Sequence, residues 1–298
     1  MKDAVIVTHS GTFHADDVFA VACLLIFLEG KPVVARLIRS RDPKIIETGD
    51  FVVDVGNVYD AAANKFDHHQ KGGAGERAEG GIPYASLGLV WDKFGSQLCG
   101  SPEVAKRVDR MLVSFIDAFD NGVGRIFPVE GATLPFTISD MVSVFNFTYQ
   151  EDGDQDGAFL EAVEIARRIM ARAINSARVA EESATLVRKA YEEASDKRIV
   201  VLDNNYLWRE VLSRFPEPLY VVEPDSTPGQ WEVNAVGSDP NNFAVRKDMP
   251  VSWGGKRGEG LADITGVEDA FFCHNKLFCA VSGSKEGAIA LARLAADA

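Results

Sequence analysis

Cysteine is scarce in this chain and basic charge is outnumbered. Its 298 residues hold four cysteines, Cys23, Cys99, Cys273 and Cys279, with no CxxC pair among them. That scatter excludes a disulfide scaffold and a thiolate zinc site, and predicts reduced thiols in a cytoplasmic protein. Lys and Arg number 31 against 44 Asp and Glu, a net charge of -13. Without a basic excess, broad capture of duplex DNA or of an anionic membrane is excluded. Short oligonucleotides stay open if divalent cations supply positive charge. The longest apolar run, Val18 to Leu28, is too short to span a bilayer. The N-terminus lacks the basic-then-apolar order of a signal peptide. The chain has no G-x-S-x-G turn around a serine, and its glycine-rich stretch lacks the Gly-Lys-Ser/Thr ending of a phosphate loop. With 46% hydrophobic and 25% charged residues, extensive disorder is excluded as well.

What is present is an alternation of strand-like and helix-like segments. Ala4–Thr8, Val33–Ile38 and Phe51–Val55 read as strands; Val18–Leu28, Tyr84–Phe94 and Glu103–Phe119 suit helices. This order predicts an α/β fold, a mainly parallel sheet with helices on both faces, whose ligands gather at the carboxyl ends of the strands. Lys71–Gly81, with five glycines, reads as a mobile loop. From Phe159 to Ala194 apolar residues recur at alternating steps of four and three, the stripe of a long helix. Beyond it, Arg198–Leu202, Leu219–Val222, Trp231–Val236 and Leu277–Val281 read as strands and Glu286–Ala296 as a final helix. The expected organisation is therefore a first domain over 1–155, a helical connector over 156–196 and a smaller α+β domain over 197–298.

Only five histidines occur, and four of them, His9, His14, His68 and His69, fall in the first 69 residues beside carboxylates. The groups are His9-Ser-Gly-Thr-Phe-His14-Ala-Asp16-Asp17, Val53-Asp54-Val-Gly56 and Asp67-His68-His69. A further acidic cluster, Asp117-Ala-Phe-Asp120-Asn-Gly122, follows an apolar run. Any one of these has an ordinary structural reading; Asp17, for instance, suits a helix cap. Jointly, imidazole and carboxylate at successive strand ends suit two ions such as Mn²⁺, Fe²⁺, Co²⁺ or Zn²⁺, sharing a bridging carboxylate and a hydroxide that attacks phosphorus. Asp54, between the two histidine motifs, is the expected bridge.

The Asp67-His68-His69 triplet, after a strand ending in Asp54 and a histidine-acid loop, resembles the DHH phosphoesterase superfamily of RecJ-type nucleases, family II pyrophosphatases and nano-RNases. More closely, the chain resembles the melanocyte-proliferating-gene family of metal-dependent hydrolases. Thr8-His9 through Asp16, Arg41-Asp42-Pro43, Phe66 through Gln70, and Asp117 through Gly122 carry the likeness. So do Asn242 through Arg246, Pro250 through Gly255, Phe272 through Asn275 and Ser282 through Gly287. The resemblance implies His9 and His14 as ligands of one ion, with His14 where most relatives carry aspartate. It implies Asp16 and His68 as ligands of the second ion, and His69 as a contact to substrate or to developing charge. Asp120 is favoured over Asp117 as the fourth acid. Arg246, His274 and the Ser282-Gly283 turn are implied phosphate contacts; Gly254 stands where relatives have arginine, a contact that Arg257 would replace.

The implied activity is 3′–5′ exonucleolytic hydrolysis of short RNA or nucleic-acid ends, with two divalent ions, Mn²⁺ first among them. A small-molecule phosphatase or pyrophosphatase and a non-catalytic metal- or nucleotide-binding protein are the alternatives.

Overall fold

The computed structural model describes residues 2–123, 135–238 and 244–298. Two compact units emerge, Met1–Arg178 and Val179–Ala298.

In the first unit, β1 (Lys2–Thr8) leads to α1 (Ala15–Leu28) and β2 (Val33–Arg39). The single-turn α2 (Pro43–Ile46), β3 (Phe51–Val53) and the two-residue strands β4 (Tyr59–Asp60) and β5 (Lys65–Phe66) follow. The sheet runs β2-β1-β3-β5-β4. Its first four strands are parallel and β4 antiparallel, the mainly parallel sheet that the alternation predicts. The run Ala15–Leu24 is buried all round, so α1 is a central helix rather than a surface one. It shares a core with α3 (Ser86–Cys99) that includes Ile6, Phe19, Phe66 and Trp91.

The coverage of the two sheet faces is unequal. Among the described residues, a small cluster of Val7, Val52 and Val55 lies opposite that core, packed against Ile45 and Ile46 of α2. Glu103–Phe119 is helical throughout, α4 (Pro102–Val108) and α5 (Ser114–Asp120) being joined without a break by a π-helical turn at Asp109–Val113. The glycine-rich segment expected to be mobile is tied down at Arg77, whose guanidinium meets Asp109 at 2.8 Å and Asp117 at 2.8 Å.

After α6 (Ile138–Ser143) comes α7 (Gln155–Glu193), the long helix of the apolar stripe. Phe159, Ala166 and Met170 join the first unit's core, whereas Val187 joins a cluster with Val200, Trp208 and Val221 in the second unit. The division at 178/179 thus falls inside α7 rather than at its ends.

The second unit holds β6 (Ile199–Val201), α8 (Arg209–Leu212), β7 (Tyr220–Pro224), β8 (Trp231–Ala235), α9 (Glu259–Thr265), β9 (Ala270–Cys273), β10 (Cys279–Ser282) and α10 (Lys285–Asp297). Its sheet, β6-β7-β8-β10-β9, is parallel only at β6-β7. Leu291 and Ala295 of α10 pack with Tyr220, Val222 and Val233. Among the described residues no helix is long and apolar enough to cross a membrane.

Candidate metal centre

The carboxyl ends of the parallel strands deliver the functional side chains to one place. β1 ends at Thr8 and hands over His9; β3 ends at Val53 and hands over Asp54; β5 ends at Phe66 and hands over Asp67, His68 and His69. The first turn of α1 adds Asp16 and the end of α5 adds Asp120. Asp54 stands at the centre. His9 Nε2 lies 3.3 Å from its Oδ2, while His68 Nε2 and His69 Nδ1 each lie 3.4 Å from its Oδ1. Its backbone φ is +54, a left-handed conformation that costs a non-glycine residue about 1–3 kcal/mol and collects at functional sites. The Asp54 N–H donates to Phe66 O at 3.1 Å, which holds the two strand ends in register.

His68 reaches two further acids, Asp120 Oδ2 at 3.3 Å and Asp16 Oδ2 at 3.9 Å. Donor atoms capable of holding an ion lie within 4.8 Å of one another in three sets: His9, His14 and Asp54; Asp54, His68 and His69; and His14, Asp16 and Asp120. His14 therefore stands near both the first and the third set. Asp117 is engaged elsewhere: Oδ2 pairs with Arg77 Nη1 at 2.8 Å and Oδ1 accepts from Gly88 N–H at 3.0 Å. An added Cβ on Gly88 would meet Asp117 Oδ2 at 1.8 Å, so the glycine makes room for the carboxylate.

Asp17 caps α1, as its sequence position suggests, and does more. Its Oδ1 accepts from His14 N–H at 2.9 Å and Val18 N–H at 2.8 Å, and its Oδ2 lies 3.1 Å from His9 Nε2. Ser86 is a contact that no local motif announces, since it reads as an ordinary first-turn serine. Its hydroxyl donates to Asp54 Oδ1 at 2.8 Å and its N–H to Asp16 Oδ2 at 3.3 Å. Asn146 is another, the head of a glycosylation sequon by sequence. Its amide accepts from Phe13 N–H at 3.0 Å and donates to Phe13 O at 2.9 Å, clamping the loop between His9 and His14.

Electrostatics mark this cluster as short of positive charge. Burial raises Asp16 well above the usual carboxylate range, and the charges of Asp54, Asp120, Asp17 and Asp117 push the same way. Burial also raises Asp17, against the opposing pull of His9. Burial acts to lower His9, but its bonds to Asp17 and Asp54 outweigh this and raise it to about 10. Burial opposes ionisation of Asp54 too, yet His68, His9 and Ser86 hold it well below its ordinary value. Asp16 Oδ1 is buried without a hydrogen-bond partner. Crowded acids, an orphaned carboxylate oxygen and a proton held between two carboxylates fit divalent cations, whose binding would displace that proton.

Comparison with known proteins shows the family. A family model described as an uncharacterised protein family (UPF0160), bearing the label MYG1 exonuclease, matches residues 5–296. The chain belongs to this family. An MYG1 protein of Schizosaccharomyces pombe is 30% identical, over 98% of this chain and 97% of its own length. The MYG1 exonuclease of Rattus norvegicus is 30% identical, over 96% of this chain and 83% of that protein. The Homo sapiens MYG1 exonuclease is 29% identical, over 96% and 84%. Among solved structures, RecJ of Thermus thermophilus in complex with Mg²⁺ superposes with a TM-score of 0.28 at 12% identity, over 99% of this chain and 50% of RecJ.

The second unit's implied phosphate contacts are differently employed. Arg246 donates from its two terminal nitrogens to Pro218 O at 3.0 Å and Ser213 O at 2.7 Å, so its fork is spent on backbone carbonyls. The two residues that open its motif, Asn242 and Phe243, lie outside the described residues. At the Ser282-Gly283 turn Ser282 Oγ donates to the Asp269 carboxylate (Oδ1) at 2.8 Å and Gly283 N–H to the Asp269 main-chain carbonyl at 2.9 Å. His274 Nδ1 accepts from Lys276 N–H at 3.1 Å, and its ring lies 4.4 Å from that of Phe278. Arg257, near the missing arginine at Gly254, sits 4.4 Å over the Phe272 ring.

Proposed function

We propose that this protein is a metal-dependent phosphodiesterase that shortens RNA or other nucleic-acid ends in the 3′–5′ direction, with two divalent cations and Mn²⁺ the first choice. The observation that carries the reading is Asp54, held in a left-handed conformation with His9 on one oxygen and His68 and His69 on the other. His9, His14 and Asp54 would hold one cation; Asp54, Asp16, His68 and Asp120 would hold the second. When bound, such cations supply charge that neutralises the phosphodiester and acidity that readies water for attack.

The chain's own groups do the rest. Ser86 fixes the rotation of the Asp54 carboxylate, and Asp17 turns the His9 ring toward it. His69 Nδ1 lies 2.8 Å from Asp67 Oδ1, so the carboxylate fixes the proton there and leaves Nε2 to receive or give one. The His69 side chain is 55% exposed, open to a substrate in a way that the buried His9 is not. Recognition of an end needs no basic track for many phosphates, which suits the net charge of -13. The relatives' printed name, exonuclease, supports the same class.

Incubation with Mn²⁺ and a 5′-labelled RNA ladder tests the reading. Stepwise shortening is the expected result, lost in Asp54→Ala and His68→Ala variants that retain their fold. Phosphate release from pyrophosphate or mononucleotides in its place would move the protein to the phosphatase class. Tight metal binding without turnover would make it a binding protein.

A further inference from the structure

Beside the acidic cluster, within the first unit, opens a cavity of about 570 Å³, in the size range of small-molecule sites, about 300–1,000 Å³. His9, Asp54 and His69 form one side of it. Pro43 and Ile46 of α2, with Val55 and Gly56 after β3, supply an apolar wall. Gly56 has a φ of +98, and an added Cβ would stand 3.4 Å from Ile46 Cγ2, so the wall is smooth because that residue has no side chain. Arg41, two residues before α2, lines it as well, its Nε donating to Ser10 O at 3.2 Å, and so do His14, Lys65 and Asp67. Among the described residues no carboxylate pairs with Arg41, and no partner engages the Asn57 side-chain amide, which also lines the cavity.

A cation anchored by one nitrogen, an apolar wall and an uncommitted amide, all beside a phosphodiester-cleaving centre, suit three parts of one ligand. These are a phosphate, a flat base or sugar, and the hydrogen-bonding edge of a base. The exposed carboxylate of Glu47 shares the cavity and opposes a second phosphate. We propose that this cavity is a nucleoside-monophosphate subsite, with Arg41 gripping the phosphate and Pro43, Ile46 and the Val55-Gly56 turn receiving the nucleoside. The inference rests on the phosphodiesterase reading and adds to it which face of the centre holds the terminal nucleotide.

Calorimetric titration of Mn²⁺-saturated protein with adenosine 5′-monophosphate and with inorganic phosphate tests it. The nucleotide is expected to bind about ten-fold or more tightly than phosphate. Arg41→Gln should weaken both about ten-fold or more, with partial rescue in Arg41→Lys. Ile46→Trp, which fills the wall, should abolish the preference for the nucleotide and shift phosphate less than two-fold. Glu47→Trp, on the exposed rim, serves the same purpose should the Ile46 variant fail to fold. Equal affinity for the two ligands, or unchanged nucleotide binding in the Arg41 and wall variants, would overturn the subsite while leaving the metal centre intact. Failure of the parent protein to take up Mn²⁺ would overturn the phosphodiesterase reading itself, and the subsite with it.

Discussion

Replacing Arg77 by Met tests whether Asp117 is a structural acid rather than a ligand. The Asp117 side chain is 0% exposed and its cationic partner is Arg77 at 2.8 Å, itself 8% exposed on the side chain. Removing one member of a buried pair strands the other without compensation, at a cost of about 3–5 kcal/mol. The Arg77 contacts to the more exposed Asp109 add little to that figure. Burial already pushes Asp117 up to about 7 against the pull of Arg77. Without the guanidinium the carboxyl escapes its charge by taking a proton. A raised folded-state value favours folding below it and is lost as pH rises through it, so the Arg77→Met deficit should be smaller at pH 5 than at pH 8. Urea unfolding at both pH values measures this, with Mn²⁺ calorimetry on the folded protein alongside. Asp117→Asn in the same background should recover much of the loss, because the stranded charge is gone. A cost below about 1 kcal/mol, or loss of bound Mn²⁺ in a stably folded Asp117→Asn protein, would refute the reasoning.

Glu223 offers a second pH test. Burial pushes its carboxyl up to about 7, despite hydrogen bonds from Trp208 and Asn234. The folded chain therefore keeps a proton that the unfolded chain releases between about pH 4.5 and pH 7, and stability falls as pH rises through that window. Melting temperatures from pH 5 to 8 should show a flatter profile in Glu223→Gln than in the parent. Asn146→Ala removes both bonds to Phe13 and should cost about 1–2 kcal/mol of loop order, seen in calorimetry as about ten-fold weaker Mn²⁺ binding at unchanged stoichiometry. Activity on a long RNA should change little between 50 and 200 mM salt if only its end is gripped; a steep fall would indicate contacts to many phosphates.

How far the sequence could be read depended on whether a residue's partner was implied by regular structure. His9, Asp54 and His68 converge because parallel strands end at one rim, and that much followed from alternating apolar segments. The β4 and β5 strands, two residues each, are too short to carry a period, so the step from Asp54 to Asp67 showed only as a motif. Asp17 was legible as a cap but not as a partner of His9, because the second role depends on where the strand before His9, eight residues earlier in the chain, delivers that side chain. Ser86, Arg77 and Asn146 act across long sequence separations and leave no local pattern. In the second unit Arg246 and Ser282 likewise have partners far off in sequence, Pro218, Ser213 and Asp269, that no local pattern announces.

The most direct measurement is a calorimetric count of divalent ions taken up by the parent protein and by Asp54→Ala. The parent should take up two Mn²⁺ per chain saturably, with proton release as His9 gives up its proton, and that uptake should be lost when the central carboxylate is removed. A parent protein that holds no cation at saturating Mn²⁺, or an Asp54→Ala protein that holds two as tightly as the parent, would contradict the two-cation centre.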